Sequence, residues 1–69
     1  PDLIRTAEDY EGLPDGTILE VVESADEGTL LVGDVLVKRS GDLVFGTDPL
    51  HPSTFNVIVC SVVRLGGEQ

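Results

Sequence analysis

The sequence predicts a small, mainly β domain: an SH3-like or similar five-stranded barrel or sheet with one short N-terminal helix. Three observations predict this fold. The chain has only 69 residues, its aromatic content is 4% so that Val, Leu and Ile must supply the core, and turn-forming residues recur every ~8–12 positions. A chain of this length forms one domain, which spans residues 1–69.

The helix is predicted at residues 7–12. Thr6 precedes it and can accept a hydrogen bond from a free backbone N–H of the first turn, where acidic residues complement the positive end of the helix dipole. Gly12-Leu13-Pro14 ends the helix, and Pro14-Asp15-Gly16 then predicts a tight turn.

Five segments rich in β-branched residues follow and are predicted as strands: 17–23, 29–32, 35–39, 43–45 and 57–65. Residues 24–28 are predicted to form the turn of a hairpin between the first two. Segment 35–39 is either a third strand or the second strand continuing past a bulge at Gly33-Asp34. Residues 46–56, with two prolines, are predicted as the only long loop.

The last predicted strand is apolar on both faces. Val57, Val59, Val63 and Leu65 alternate with a second set that includes Ile58 and is also mostly apolar. A sheet with one face in water alternates apolar and polar residues instead. Two interpretations stay open: the N-terminal helix and a loop cover the second face, or the face of Val57, Val59, Val63 and Leu65 is a self-association surface that makes a homo-oligomer.

The net charge of −9 restricts the classes of partner. It argues against direct nucleic-acid binding, which needs Lys and Arg to displace counterions, and against binding to an anionic membrane surface. No apolar stretch approaches the ~20 residues that a membrane span needs.

Most of the excess negative charge lies in residues 1–28, which contain nine acids and one base, Arg5. A single-sign surface can steer a basic protein partner, so this segment supplies a candidate acidic partner face. Its residues are Glu8, Asp9, Glu11, Asp15, Glu20, Glu23, Asp26 and Glu27. The alternatives are a solvated, solubilising surface and a mimic of the nucleic-acid backbone.

The sequence carries no pattern of catalytic or cofactor-binding residues, so we expect a protein that is not an enzyme and needs no cofactor or metal. His51 is the only histidine and Cys60 the only cysteine, two ligands short of a structural zinc site. No serine lies in a Gly-x-Ser-x-Gly turn, and the acids lack the spacing of a calcium-binding loop. We interpret His51 as a surface loop residue and Cys60 as a small buried hydrophobe.

The cellular compartment of the protein is indicated only by its cysteine content and its N-terminus. A single cysteine and no visible signal peptide favour a reducing, cytoplasmic setting. Because the sequence starts at Pro1, we interpret it as a trimmed or internal fragment, from which a targeting segment could have been removed.

Three short motifs carry a resemblance: Thr6-Ala7-Glu8-Asp9, then Gly12-Leu13-Pro14-Asp15-Gly16-Thr17, and then Gly33-Asp34-Val35-Leu36-Val37-Lys38-Arg39. Together they resemble small accessory proteins of actinobacteria and their phages, over roughly residues 6–45. The family usually has an aromatic residue after its second hairpin, where this chain has Leu43-Val44-Phe45, and residues 23–28 lengthen the first hairpin. The resemblance implies a phage or actinobacterial accessory protein of poorly defined function, without catalytic residues.

The leading hypothesis is therefore a non-enzymatic protein-interaction module, phage-encoded and working in the host cytoplasm, that binds a host protein or a second copy of itself. One alternative is a structural component of a virion or its assembly, using the last strand for contacts between copies. The other is an acidic DNA-mimic inhibitor of a DNA-binding protein.

Overall fold

The computed structural model describes residues 3–25 and 30–67, and most of these belong to one antiparallel sheet. The elements in chain order are β1 (Leu3–Ile4), α1 (Ala7–Glu11), β2 (Ile18–Ser24), β3 (Val35–Arg39), β4 (Asp42–Phe45), β5 (Asp48–Leu50), a 3-10 helix (Pro52–Asn56) and β6 (Ile58–Arg64). The strand order is β1-β6-β2-β3-β4-β5. The predicted mainly β class with a short helix is confirmed; the sheet is open, not closed into a barrel.

The predicted number of strands is wrong, because the sheet has six strands within residues 3–25 and 30–67, and the described residues of one predicted strand form none. The described part of segment 29–32, residues 30–32, is a loop. Asp34 closes a turn there by accepting a hydrogen bond from the Leu31 backbone N–H at 2.8 Å, and Gly33 takes a positive φ of 100°. Leu30 meanwhile inserts into the core. The strand β2 therefore pairs with β3 rather than with residues 30–32.

The hairpin predicted at residues 24–28 is also wrong where the structure describes it. Ser24 is the last residue of β2, and the backbone N–H of Ala25 donates to the carbonyl of Val57 at 2.7 Å. The chain at Ala25 thus follows β6 instead of turning toward β3. Residues 26–28 of the predicted turn lie outside the described residues.

Residues 46–56, predicted as a loop, contain β5 and the 3-10 helix. Gly46, with a φ of 66°, allows the chain to reverse between β4 and β5. A proline cannot donate to a central ladder, so Pro49 fits β5 only because β5 is an edge strand. The other edge strand, β1, pairs Leu3 and Ile4 with β6.

The start of α1 follows the sequence prediction. The Thr6 hydroxyl accepts a hydrogen bond from the Asp9 backbone N–H at 3.1 Å, while a carboxylate oxygen of Asp9 accepts one from the Arg5 backbone N–H at 3.2 Å. These two bonds satisfy donors that the first turn leaves free. Gly12 caps the other end, so the helix is one residue shorter than predicted.

One face of the sheet, here called the inner face, holds the core. Side chains from the sheet, α1, the loop before β3 and the 3-10 helix make one cluster, in which the buried members are Ile4, Tyr10, Leu19, Val21, Leu30, Leu36, Leu43, Phe55, Ile58 and Cys60. The strand β6 is central, between β1 and β2. Its inner face is covered by the two helical elements, and neither of them covers its other face.

The end of β6 is fixed against the turn that precedes β2. Thr17 is fully buried, and its hydroxyl donates to the Pro14 carbonyl at 2.7 Å and accepts from the Gly66 backbone N–H at 2.9 Å. A side chain at Gly66 would overlap the backbone of residues 15–17. Only glycine therefore permits this close approach.

Candidate functional site

The face of the sheet opposite the core, here called the outer face, is crossed by two neighbouring rows of paired residues. The first row runs across four strands through Leu3, Ser61, Glu20 and Val35. These residues alternate along their strands with buried core residues, so they point away from the core. Val35 is 50% exposed and Leu3 is 40% exposed, and no helix lies over them among the residues that the structure describes.

The second row crosses five strands and is more apolar than the first. It consists of Arg64, Ile18, Val37, Val44 and Pro49. At the end of this row beside Val44 and Pro49 a shallow groove of about 410 Å³ continues the surface. The outer face is therefore broad, shallow and largely aliphatic.

A bulge in β6 adds an apolar side chain between the two rows. Ile18 pairs with Arg64 and Leu19 with Val62, so Val63 is an extra residue in β6. Val63 is 57% exposed, against 2% for Ile58 at the start of the same strand. Val63 and the apolar residues of the two rows together form a contiguous exposed aliphatic patch, which is the kind of surface that marks a binding site.

The predicted self-association residues divide between the outer face and its surroundings. Val59, half-buried, and Val63 lie on the outer face of β6. Val57 lies before β6, where its backbone N–H donates to the Thr54 carbonyl at the end of the 3-10 helix. Leu65 follows the strand and is 47% exposed. The outer-face residues Leu3, Ile18 and Val35 were not predicted.

The predicted acidic partner face does not form one surface in the described structure. Glu8, Asp9 and Glu11 lie on α1, which covers the inner face, whereas Glu20 and Glu23 lie on the outer face of β2. The sheet separates the two groups. Asp15 lies in the turn before β2, and its carboxylate accepts a hydrogen bond from the Gly41 backbone N–H at 3.0 Å. Asp26 and Glu27 are outside the described residues.

Lys38 is a buried cation that stabilises the end of α1, a role that was not predicted from the sequence. Its ammonium group donates to the carbonyls of Tyr10, Glu11 and Leu13 at 3.3, 3.2 and 2.6 Å. It also lies 4.7 Å from the centroid of the Tyr10 ring, within cation–π range. Alternation along β3 could have shown this placement, because Lys38 shares its face with the buried Leu36.

His51 has a local structural role in this geometry. Its Nδ1 accepts a hydrogen bond from the Ser53 backbone N–H at 3.0 Å, which caps the 3-10 helix, and the ring is exposed. Within residues 3–25 and 30–67, no three His, Cys, Asp or Glu side chains are grouped so that they could hold a metal ion. The prediction that His51 is a surface loop residue is confirmed in its exposure.

Cys60 is buried in the middle of β6, as the sequence predicted. Burial raises the pKa of its thiol from the ordinary 9.0 to about 11. We therefore expect a thiol-specific reagent to modify Cys60 on the order of 100 times more slowly in the folded protein than in urea. Labelling followed by mass measurement checks this, and equal rates would contradict the buried placement.

The same thiol makes the stability depend on alkaline pH. Because the pKa of the thiol is higher in the folded state, its contribution to the free energy of unfolding is complete below about pH 9. This contribution is lost as pH rises toward 11, because the thiol ionises more readily in the unfolded chain than in the folded one. Cys60→Ala should flatten this part of the stability curve, measured by urea unfolding at several pH values. An unchanged slope in Cys60→Ala would contradict the assignment.

Comparisons of the chain with protein-family models, with curated proteins and with solved structures find no match. Neither helical element in the described part of the chain is long or apolar enough to cross a membrane.

Proposed function

We propose that this protein is a non-enzymatic protein-interaction module that binds its partner through the outer face of the sheet. The observation that carries the proposal is the open aliphatic surface across β1, β6, β2 and β3, with Val63 between the two rows near the end of β6. Exposed apolar surface of this kind in a small domain marks an interaction site more often than a chance arrangement.

The shape and chemistry of the outer face support a protein as the partner. The face is broad and shallow, whereas small-molecule sites are concave and enclose most of their ligand. The side chains best suited to chemistry are engaged elsewhere: Lys38 at the end of α1, His51 at the 3-10 helix and Cys60 in the core. This distribution supports binding rather than catalysis.

The biological setting is also part of the proposal. The resemblance to small proteins of actinobacteria and their phages supports a phage-encoded protein that acts in the host cytoplasm. A role in virion assembly is compatible with the same outer face. The DNA-mimic alternative needs acids along one surface, and the separation of the α1 acids from Glu20 and Glu23 does not favour it.

Val63→Asp tests the proposal, because a carboxylate buried in a contact is costly to desolvate. We expect proteins enriched from an actinobacterial lysate by the wild-type chain to fall about tenfold with Val63→Asp. Leu31→Asp is the matched control, since Leu31 is similarly exposed at 53% and belongs to neither paired row. Far-UV circular dichroism verifies that both variants fold.

The proteins that depend on Val63 are then purified, and their binding is measured again with the same three chains. Loss with Val63→Asp and retention with Leu31→Asp support the outer face as the binding surface. Equal binding by all three chains would overturn the proposal.

A further inference from the structure

The charges on the outer face almost cancel, although the whole chain carries −9. Three acids, Glu20, Glu23 and Asp42, and two bases, Arg39 and Arg64, lie on the strands of this face, with Arg39 and Asp42 opposite each other in the ladder of β3 and β4. A third base, Arg5, lines a groove beside Glu23 and Val59. The acids of α1 lie on the other side of the sheet, roughly 10 Å away, which is comparable to the Debye length at physiological salt. The outer face therefore suits an occupant of little net charge.

The two paired rows have complementary charges at positions that a two-fold axis can exchange. One row carries Glu20 next to Ser61, and the neighbouring row carries Arg64 next to Ile18. Such a two-fold axis lies in the interface between the two copies, perpendicular to the strands and midway between the two rows. It places Arg64 above Ser61 of a second copy and one strand spacing, about 4.8 Å, to the side of that copy's Glu20, across a gap of about 10 Å between the two sheets that the long arginine side chain can span. Two arginine–glutamate pairs result, one on each side of the axis.

Resting on the proposed function, we propose that the occupant of the outer face is the same face of a second copy of this chain. The two sheets pack face to face, Val63 lies near the axis, and Arg64 of each copy pairs with Glu20 of the other. A strongly basic partner would leave its own charges without partners on this nearly neutral surface, which is why a second copy fits better.

The size of the face sets the expected strength of the dimer. Five strands at about 4.8 Å spacing, each contributing a few outward residues, present roughly 450 Å² per copy. The total of about 900 Å² lies at the low end for specific interfaces, where association is weak. We therefore expect a dissociation constant on the order of 100 µM, which is measurable at about 1 mM protein.

Charge reversal tests the arrangement by sedimentation equilibrium at about 50 mM salt, where screening is weak. Glu20→Arg places two arginines on each copy, and Arg64→Glu places two glutamates, so each variant alone should associate at least about tenfold more weakly than wild type. An equimolar mixture of the two variants restores both pairs and should associate within about threefold of wild type.

Glu8→Arg and Glu11→Arg are the matched controls. Each changes the net charge by the same amount as Glu20→Arg, at an exposed position of α1 on the other side of the sheet, and each should associate like wild type. Circular dichroism confirms folding of every variant, and where half-buried Glu20 does not tolerate Arg, Glu20→Gln replaces it with a smaller expected loss.

Three results would overturn the self-association: a wild-type chain of 7.3 kDa up to about 1 mM, single reversals that associate like their controls, or a mixture no stronger than the single variants. If the wild-type chain stays monomeric while a purified partner still requires Val63, the dimer is wrong and the proposed function stands. If Val63→Asp leaves both kinds of binding unchanged, the proposed function fails as well.

Discussion

Replacing Lys38 with Met is expected to lower the free energy of unfolding by about 3 kcal/mol. The ammonium group of Lys38 donates to three carbonyls at the end of α1, and methionine fills similar space without a donor. The carbonyls of Tyr10, Glu11 and Leu13 would then lose that donor at the negative end of the helix dipole. Urea unfolding followed by circular dichroism measures the change.

Arg39→Met is the matched control because Arg39 is the next residue along β3 and is exposed. We expect it to change the free energy of unfolding by less than about 0.5 kcal/mol. Lys38→Arg keeps the charge with a different shape, and should fall between the two. Equal stability of Lys38→Met and Arg39→Met would contradict the role assigned to the buried cation.

Replacing Tyr10 with Ala is expected to cost about 4 kcal/mol, close to the whole stability of so small a domain. Tyr10 is 1% exposed and joins α1 to the sheet. Its ring lies 5.4 Å from that of Phe55 and under the ammonium group of Lys38, and its hydroxyl donates to the Gly41 carbonyl at 2.9 Å. Unfolding is measured with the same urea experiment.

Tyr10→Phe separates the ring from the hydroxyl. It keeps the packing against Phe55 and loses only the bond to Gly41, so the expected cost is about 1 kcal/mol. This variant also keeps the test informative if Tyr10→Ala does not fold. A cost for Tyr10→Phe as large as that for Tyr10→Ala would show that the ring contributes little.

The elements that the sequence predicted well are those with local causes. Thr6 caps α1 through a contact three residues away, and the alternating, β-branched segments became β2, β3, β4 and β6. Segment 29–32 is also rich in strand-forming residues, but it is followed by Gly33-Asp34, and its described residues, 30–32, lead into the turn that Asp34 closes. Composition alone does not distinguish these two outcomes.

Elements that depend on partners distant in sequence were harder to predict from the sequence. The edge strand β5 exists because β4 offers it a ladder, and Pro49 had suggested a loop. The apolar pattern of β6 indicated a strand that needs cover on both sides, but Leu3, Ile18 and Val35 join it on the outer face only through pairing across the sheet. Strand order, which local patterns do not contain, decides that neighbourhood.

The acidic composition also predicts the net charge but not the arrangement of the charges on the surface. Glu11 and Glu20 are close in sequence and belong to one acidic segment, yet the sheet lies between them. A count of charges along the chain therefore describes the molecule's net charge correctly and its surfaces poorly. The outer face is nearly neutral because the sheet separates its few acids from the acids of α1.

The most direct test of the outer face as the binding surface is the concentration dependence of backbone amide shifts by NMR. Spectra of the ¹⁵N-labelled wild-type chain are compared between about 20 µM and 1 mM. Shifts confined to Leu3 and to β2, β3, β4 and β6, with α1 and the 3-10 helix unchanged, are the predicted result. Shifts centred on α1 would contradict the assignment of the outer face as the binding surface. The same holds if no shifts are seen and a purified partner also leaves the outer face unperturbed.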